Sequence, residues 1–289
     1  MIRVDSRTRL CCLLGDPVTH SVSPQMHNAA FSHLELNFCY MAFRVVRREL
    51  PSAVEGVRAL GIRGFNVTVP HKVEIIPLLD EVDETARKIS AVNTVLNKDG
   101  RLIGFNTDGA GFIKAVGEDR IRGKNAVMIG AGGAARAIAF SLAGRCRSLT
   151  ILNRTSRKAV ALAGEVERTT GCRIMGLGLS SEEAGEALRR CELLINSTIV
   201  GMYPDVSRTI IDNNLINPGM VVFDAVFNPA ETRLLREARL RGAYTVSGLE
   251  MLVHQGAEAF KIWTGAEPPL EVMREAAVGA LKSYGTGEA

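Results

Sequence analysis

Two residues draw attention because of the chemistry an amine and a carboxylate can do together. Lys72 closes the segment Gly64-Phe65-Asn66-Val67-Thr68-Val69-Pro70-His71-Lys72, and Asp108 lies in Asn106-Thr107-Asp108-Gly109. Phe65, Val67 and Val69 alternate with Asn66 and Thr68 as a strand does, and Pro70 suits a first helical position. The spacing therefore predicts a strand running into a helix, with Lys72 in the first helical turn. A cation is disfavoured there by the helix dipole, so the proton of Lys72 is easier to remove than that of a free lysine. A nearby carboxylate would oppose that effect, and Asp108 is the candidate. Both residues have a plain structural alternative: a solvated lysine at a strand end, and an aspartate capping a helix.

A second constellation is the run Ala126-Val127-Met128-Ile129-Gly130-Ala131-Gly132-Gly133-Ala134-Ala135-Arg136. It reads as a buried strand, a glycine turn and a helix start, with Gly130, Gly132 and Ala135 at the three positions of a G-x-G-x-x-[GA] fingerprint. Such a turn lets backbone N–H groups approach a pyrophosphate at a helix N-terminus. At the end of the next strand an NAD enzyme usually carries an acid for the ribose hydroxyl. This chain instead has Asn153-Arg154-Thr155-Ser156-Arg157-Lys158. Three cations and no acid suit a 2′-phosphate, so the cofactor is expected to be NADP. A solvated helix start is the alternative for Arg157 or Lys158 taken singly.

The polar residues Ser21 and Ser23 sit in Gly15-Asp16-Pro17-Val18-Thr19-His20-Ser21-Val22-Ser23-Pro24-Gln25-Met26-His27-Asn28. Two readings are equally open: Ser23 as N-cap with Pro24 first in the helix, or both hydroxyls and the helix N-terminus receiving a carboxylate. Asn93 interrupts the apolar run Ala91 to Leu96, where a buried amide needs partners. His20 and His27 are given no role in chemistry.

The elements that must position these residues alternate between short β-rich runs and helical patterns. Strands are expected at Leu10 to Leu14, Asn37 to Phe43, Gly64 to Val69 and Ala91 to Leu96, with helices over Pro24 to Leu34 and Glu49 to Leu60. That order argues for an α/β domain with a largely parallel sheet. A second α/β unit follows, with strands at Ala126 to Ile129, Leu149 to Leu152, Leu193 to Asn196 and Met220 to Phe223. Domain limits are expected at 1–106 for the first unit and 107–247 for a Rossmann-like second, with 248–289 forming helices that return to the first. The length of 289 residues accommodates two cores, and 46% hydrophobic with 23% charged residues is ordinary for a soluble protein. A net charge of +4 without a basic tract gives nucleic-acid binding little support. Six cysteines without C-x-x-C or metal-like spacing read as reduced thiols. No signal peptide or membrane span is legible, so a cytoplasmic location is expected, with no membrane partner and no metal.

Taken together, GDPVTHSVSPQMHN, FNVTVPHK, AVNTV, NTDGAG, GAGGAAR, NRT with downstream basic residues, NSTIVGM and SGLEMLVHQGAEAF resemble the shikimate dehydrogenase family, in order and spacing, from Gly15 to Gly265. The resemblance implies NADPH-dependent, reversible reduction of 3-dehydroshikimate to shikimate in aromatic amino-acid biosynthesis, by a monomer or homodimer. It implies Lys72 and Asp108 as the catalytic pair. Ser21 and Ser23 would take the substrate carboxylate, and Thr68, Asn93 and Gln255 the ring hydroxyls. On the cofactor side it implies Gly130, Ala131, Gly132, Gly133, Ala134, Asn153, Arg154, Thr155, Ser156, Arg157 and Lys158, with Thr198 facing the cofactor, Gly248 near the nicotinamide, and Glu84 and Ala225 as further contacts. The most informative departure from the family pattern is Phe227, in Phe223-Asp224-Ala225-Val226-Phe227-Asn228-Pro229, which stands where tyrosine is usual, so its substrate contact is apolar only. Ser247 and Glu250 also replace the commoner Asp and Gly. The rival readings are a quinate/shikimate dehydrogenase, often using NAD, and a catalytically silent module that binds the same ligands; the missing acid argues against the NAD part of the first, and retention of both Lys72 and Asp108 against the second.

Overall fold

The computed structural model describes residues 4–285, which divide into two compact units. One runs up to Thr107 and resumes at Val253; the other is Asp108–Leu252. The first contains β1 (Arg9–Gly15), α1 (Ser23–His33), β2 (Phe38–Arg44), α2 (Leu50–Ala59), β3 (Gly64–Val67), β4 (Glu81–Val82), α3 (Glu84–Ile89), β5 (Thr94–Lys98) and β6 (Arg101–Phe105). Its sheet has the order β2-β1-β3-β5-β6-β4. The β1–β2, β1–β3 and β4–β6 pairs are parallel, whereas β3–β5 and β5–β6 are antiparallel. The sheet is thus mixed, parallel in three of its five pairs, with β5 and β6 forming an antiparallel hairpin. Asp99 and Gly100 both have positive φ (53° and 88°), the backbone that a tight two-residue hairpin loop needs.

The second unit contains α4 (Asp108–Val116), α5 (Glu118–Ile121), β7 (Asn125–Ile129), α6 (Gly133–Leu142), β8 (Ser148–Asn153), α7 (Ser156–Thr170), β9 (Met175–Gly178), α8 (Glu182–Arg189), β10 (Leu193–Asn196), β11 (Val221–Asp224), α9 (Arg233–Leu240) and β12 (Tyr244–Ser247). Its strands lie β12-β11-β10-β7-β8-β9, every pair parallel. Ala126 and Met128 of β7 enter one apolar cluster with Phe112, Ile138 and Val166, while Val127 and Ile129 enter another with Leu188 and Leu235. Both faces are therefore covered by helices, which is why these strands read as continuous apolar runs. The order reverses between β7 and β10, and such switch points, at the carboxyl ends of the strands, are where open α/β sheets bind nucleotides.

The chain closes with α10 (Gly248–Thr264) and α11 (Leu270–Gly285), of which the part from Val253 belongs to the first unit. There α11 packs along α1, and the buried Trp263 donates its indole N–H to the Val95 carbonyl at 3.0 Å. Gly64 makes room for that ring, since a Cβ there would lie 2.3 Å from it. All six cysteines are free thiols, and no helix among the described residues is long and apolar enough to cross a membrane.

Candidate active site

In the first unit the parallel strands β1 and β3 end side by side. The Thr68 N–H donates to the Leu14 carbonyl at 3.0 Å and the Asp16 N–H to the Val69 carbonyl at 2.9 Å. A Cβ at Gly15 would sit 2.2 Å from the Thr68 methyl, so the loop after β1 and Thr68 touch only because residue 15 is glycine. Lys72 follows in a run of turns, not in the first turn of a helix. Pro77 lacks the N–H that a helix from Pro70 would need and its ring would crowd the residue 73 carbonyl, leaving only a short 3₁₀ turn at Ile76–Leu78. Lys72 is instead fixed by its backbone, whose carbonyl accepts from the Val92 N–H at 2.8 Å, and its side chain is half-buried. Its neighbour His71, fully buried, holds the Val45 carbonyl through Nε2 at 2.7 Å.

Asn93 lies just before β5 and is 2% exposed. Its Oδ1 accepts from the Thr107 N–H at 2.8 Å, and its Nδ2 donates to Thr107 Oγ1 at 2.9 Å and to Gln255 Oε1 at 3.3 Å. Behind it Thr94 Oγ1 donates to Asn93 Oδ1 at 3.1 Å, Asn66 Nδ2 donates to Thr94 Oγ1 at 3.0 Å, and the Tyr40 hydroxyl donates to Asn66 Oδ1 at 2.7 Å. Thr68, Lys72, Asn93 and Gln255 are thereby gathered by β1, β3, β5 and α10. In the sequence Asn66 is legible only as a polar member of a strand, and Tyr40, Thr94 and Thr107 carry no sign of this role. The available signal was a polar residue, Asn66, between the apolar Phe65 and Val67.

Ser21 and Ser23 lie in the loop after β1 and at the start of α1. The helix begins at Ser23 itself, with Val22 as cap residue and no side-chain capping bond, so Ser23 is not the N-cap. Ser21 Oγ accepts from the Ser23 N–H at 3.3 Å. The first turn of α1 contains no acid, leaving its dipole available to an anion. Nearby His27 is stacked on Tyr40 at 4.5 Å between ring centroids, and neither ring nitrogen has a hydrogen-bond partner among the described residues. Burial pushes its pKa down to about 3, so it is a neutral packing residue.

In the second unit Asp108 opens α4 and is 6% exposed, one residue after Thr107. The glycine turn follows β7. Gly130 has φ +122°, and a Cβ there would lie 2.4 Å from Ser197 Oγ. At Gly132 and Gly133 an added Cβ would meet nothing within 4 Å, so the backbone is open to approach. Neither α6 nor α7 has a side-chain cap or an acid in its first turn. Arg136 on α6 is ion-paired to Glu165 on α7, which holds these two helices together. Asn153 ends β8 and its Nδ2 donates to the Thr155 carbonyl at 3.0 Å. Arg154, Thr155, Ser156, Arg157 and Lys158 are exposed, and the three cations form no ion pair among the described residues. This donor set, two uncapped helix starts with unspent cations and no acid, fits a phosphorylated dinucleotide.

Across the switch point, Thr198 lies two residues beyond β10. Its hydroxyl donates to Asn196 Oδ1 at 2.7 Å and accepts from the Val200 N–H at 3.1 Å, so it shapes its own loop. Asp224 at the end of β11 is fully buried and accepts from Asn196 Nδ2 at 2.8 Å, the Val226 N–H at 3.0 Å and the Thr232 hydroxyl at 2.6 Å. Burial raises its pKa from 3.8 to about 6 despite those bonds. The carboxylate thus pins the turn bearing Ala225 and the half-buried Phe227. Gly248 begins α10, and a Cβ there would lie 2.4 Å from the Ala225 carbonyl. Glu84 differs from the rest: it is exposed at the start of α3, in the first unit, and ion-paired with Lys88 at 2.7 Å.

Known proteins share this architecture. Family models described as shikimate dehydrogenase substrate binding domain, shikimate / quinate 5-dehydrogenase and shikimate 5'-dehydrogenase C-terminal domain match residues 13–95, 114–212 and 248–278. The shikimate dehydrogenase (NADP(+)) of Methanopyrus kandleri is 46% identical over 286 residues, 97% of this chain and 99% of that protein. A crystal structure of a shikimate dehydrogenase in complex with NADP+ is 45% identical with a TM-score of 0.90, covering 96% of this chain and 98% of that one. The Thermus thermophilus enzyme in complex with NADP(H) and shikimate is 39% identical with a TM-score of 0.84, covering 94% and 100%. With identity of this order over nearly the whole of both chains, the protein belongs to the shikimate dehydrogenase family.

Proposed function

We propose that this chain catalyses the reversible NADPH-dependent reduction of 3-dehydroshikimate to shikimate in aromatic amino-acid biosynthesis. The observation that carries the reading is the buried amide of Asn93, tied at once to Gln255 and to Thr107, the residue before Asp108. Ser21, Ser23 and the start of α1 receive the substrate carboxylate. Thr68, Asn93 and Gln255 bond the ring hydroxyls, and Phe227 offers only an apolar surface. NADPH, when bound, supplies the hydride to the carbonyl carbon. The Lys72 ammonium gives a proton to the carbonyl oxygen as it becomes an alkoxide, and takes it back in oxidation. Asp108 orients the amine and the substrate hydroxyl. The backbone of Gly130, Ala131, Gly132, Gly133 and Ala134 holds the pyrophosphate. Asn153, Arg154, Thr155, Ser156, Arg157 and Lys158 hold the 2′-phosphate, with Thr198, Ala225, Gly248 and Glu84 as further cofactor contacts. The six free thiols suit a reducing cytoplasm, where the enzyme works as a monomer or homodimer.

The test is an absorbance assay of the purified protein with shikimate or quinate against NADP or NAD. Shikimate with NADP is expected to give the highest kcat/KM. A protein that binds NADP and shikimate without turning over either would be a binding module, and a higher kcat/KM for quinate with NAD would reassign the substrate.

A further inference from the structure

Asn93 is held in one orientation by groups of fixed hydrogen-bonding sense. A backbone N–H can only donate, so the atom 2.8 Å from the Thr107 N–H must be Oδ1, and the amide cannot flip without losing that bond. Its Nδ2 end is thereby directed to Thr107 Oγ1 and Gln255 Oε1, at 2.9 and 3.3 Å. The Thr94 hydroxyl is fixed in the same sense. It accepts from Asn66 Nδ2 at 3.0 Å and lies 3.3 Å from Thr107 Oγ1 and 3.1 Å from Asn93 Oδ1. Asn66 is in turn oriented by the Tyr40 hydroxyl, which donates to its Oδ1 at 2.7 Å, while Asn66 Nδ2 also reaches the Asn93 carbonyl at 3.1 Å. Donation therefore runs from Tyr40 through Asn66 to Thr94, whose own proton is left for Asn93 Oδ1 or Thr107 Oγ1. Thr94 is 0% and Tyr40 1% exposed, so both act only through their neighbours.

We propose that Thr94, with Tyr40 behind it and Thr107 in front, is a positioning residue that holds the Asn93 amide, whose sense the Thr107 N–H sets, in place against the substrate hydroxyls. The proposal rests on Asn93 being a substrate contact, as assigned above. A buried network satisfied at every member holds its groups in one arrangement, and removal of one hydroxyl releases the arrangement beyond it. The Thr94→Val variant keeps the shape and loses the hydroxyl. Its shikimate KM is expected to rise at least tenfold with the NADP KM within twofold of the parent, and Thr94→Ser is expected to restore the shikimate KM to within threefold. Tyr40→Phe keeps the ring on His27 and is expected to raise the shikimate KM in the same direction, by less. A purely structural role would lower the melting temperature and leave both KM values in place.

The proposal is overturned if Thr94→Val keeps the parent's shikimate KM within twofold, or raises both KM values equally. Should Thr94→Val not fold, an unchanged shikimate KM in Tyr40→Phe overturns it instead. Asn93→Ala, measured alongside, separates the two layers. An unchanged shikimate KM there contradicts Asn93 as a substrate contact, whereas a raised one beside an unchanged Thr94→Val contradicts the relay alone.

Discussion

Replacing Asp224 by asparagine tests the most heavily buried carboxylate near the site. Burial lifts its pKa from 3.8 to about 6, and the bonds from Asn196, Val226 and Thr232 offset only part of that rise. The folded value lies above the unfolded one, so the stability this group contributes is complete below pH ~4, where both states are protonated. As pH climbs toward 6 the unfolded chain ionises first, and the contribution is lost. A displacement of about two units at ~1.4 kcal/mol each is a loss of about 3 kcal/mol across that window. Asparagine is similar in shape, can accept from Asn196 and Val226 with its oxygen, and does not ionise. Other carboxylates also titrate in acid, so the quantity to measure is the difference in melting temperature between parent and Asp224→Asn from pH 4 to pH 7. That difference should fall by roughly 6–12 °C over the range, taking about 2–4 °C per kcal/mol for a unit of this size. A difference that stays constant with pH would refute the buried, destabilised carboxylate.

Other perturbations follow from the same geometry. Arg154→Ser with Lys158→Ala removes two cations that form no ion pair among the described residues, so the NADP KM should rise on the order of a hundredfold, about 3 kcal/mol for two charge-assisted bonds, with the NAD KM little changed; steady-state kinetics with both cofactors decides. Gly130→Ala combines a left-handed φ with a 2.4 Å approach to Ser197 Oγ, so it should weaken NADP binding and cost roughly 1–2 kcal/mol from the backbone alone; calorimetry and thermal unfolding measure the two. Phe227→Tyr returns a hydroxyl to the turn pinned by Asp224 and should lower the shikimate KM by roughly tenfold, about 1.4 kcal/mol, in steady-state kinetics.

The cofactor half was legible in the sequence because its parts are local. A strand, a glycine turn and a helix start lie within a dozen residues, and Asn153 to Lys158 follow the very next strand. The substrate half was legible as a set of motifs and not as a network, since Asn93 and Gln255 are 162 positions apart and nothing in either segment specifies the partner. Apolar patterning, alternating in the first unit and continuous in the second, located β1, β2, β3, β7, β8, β10 and β11 to within a residue or two. It missed β6, although Lys98-Asp99-Gly100-Arg101 carries the hairpin signal, and this made the first sheet look more parallel than it is. It also missed β9, whose Gly176 is there for close packing: a Cβ would lie 2.5 Å from the Ala159 carbonyl of α7. Pro70 reads as a good helix starter and so puts Lys72 in a helix, while Pro77, seven residues on, interrupts any helix running past it and the segment closes as turns.

Lys72→Ala, assayed in both directions with NADP binding measured separately, bears most directly on the proposed chemistry. General acid–base catalysis by one side chain is commonly worth about 10²–10⁴ in rate. The variant should lose kcat by that order while its NADP affinity stays within about twofold of the parent. Turnover equal to the parent's would contradict Lys72 as the proton carrier, and with it the mechanism proposed for this site.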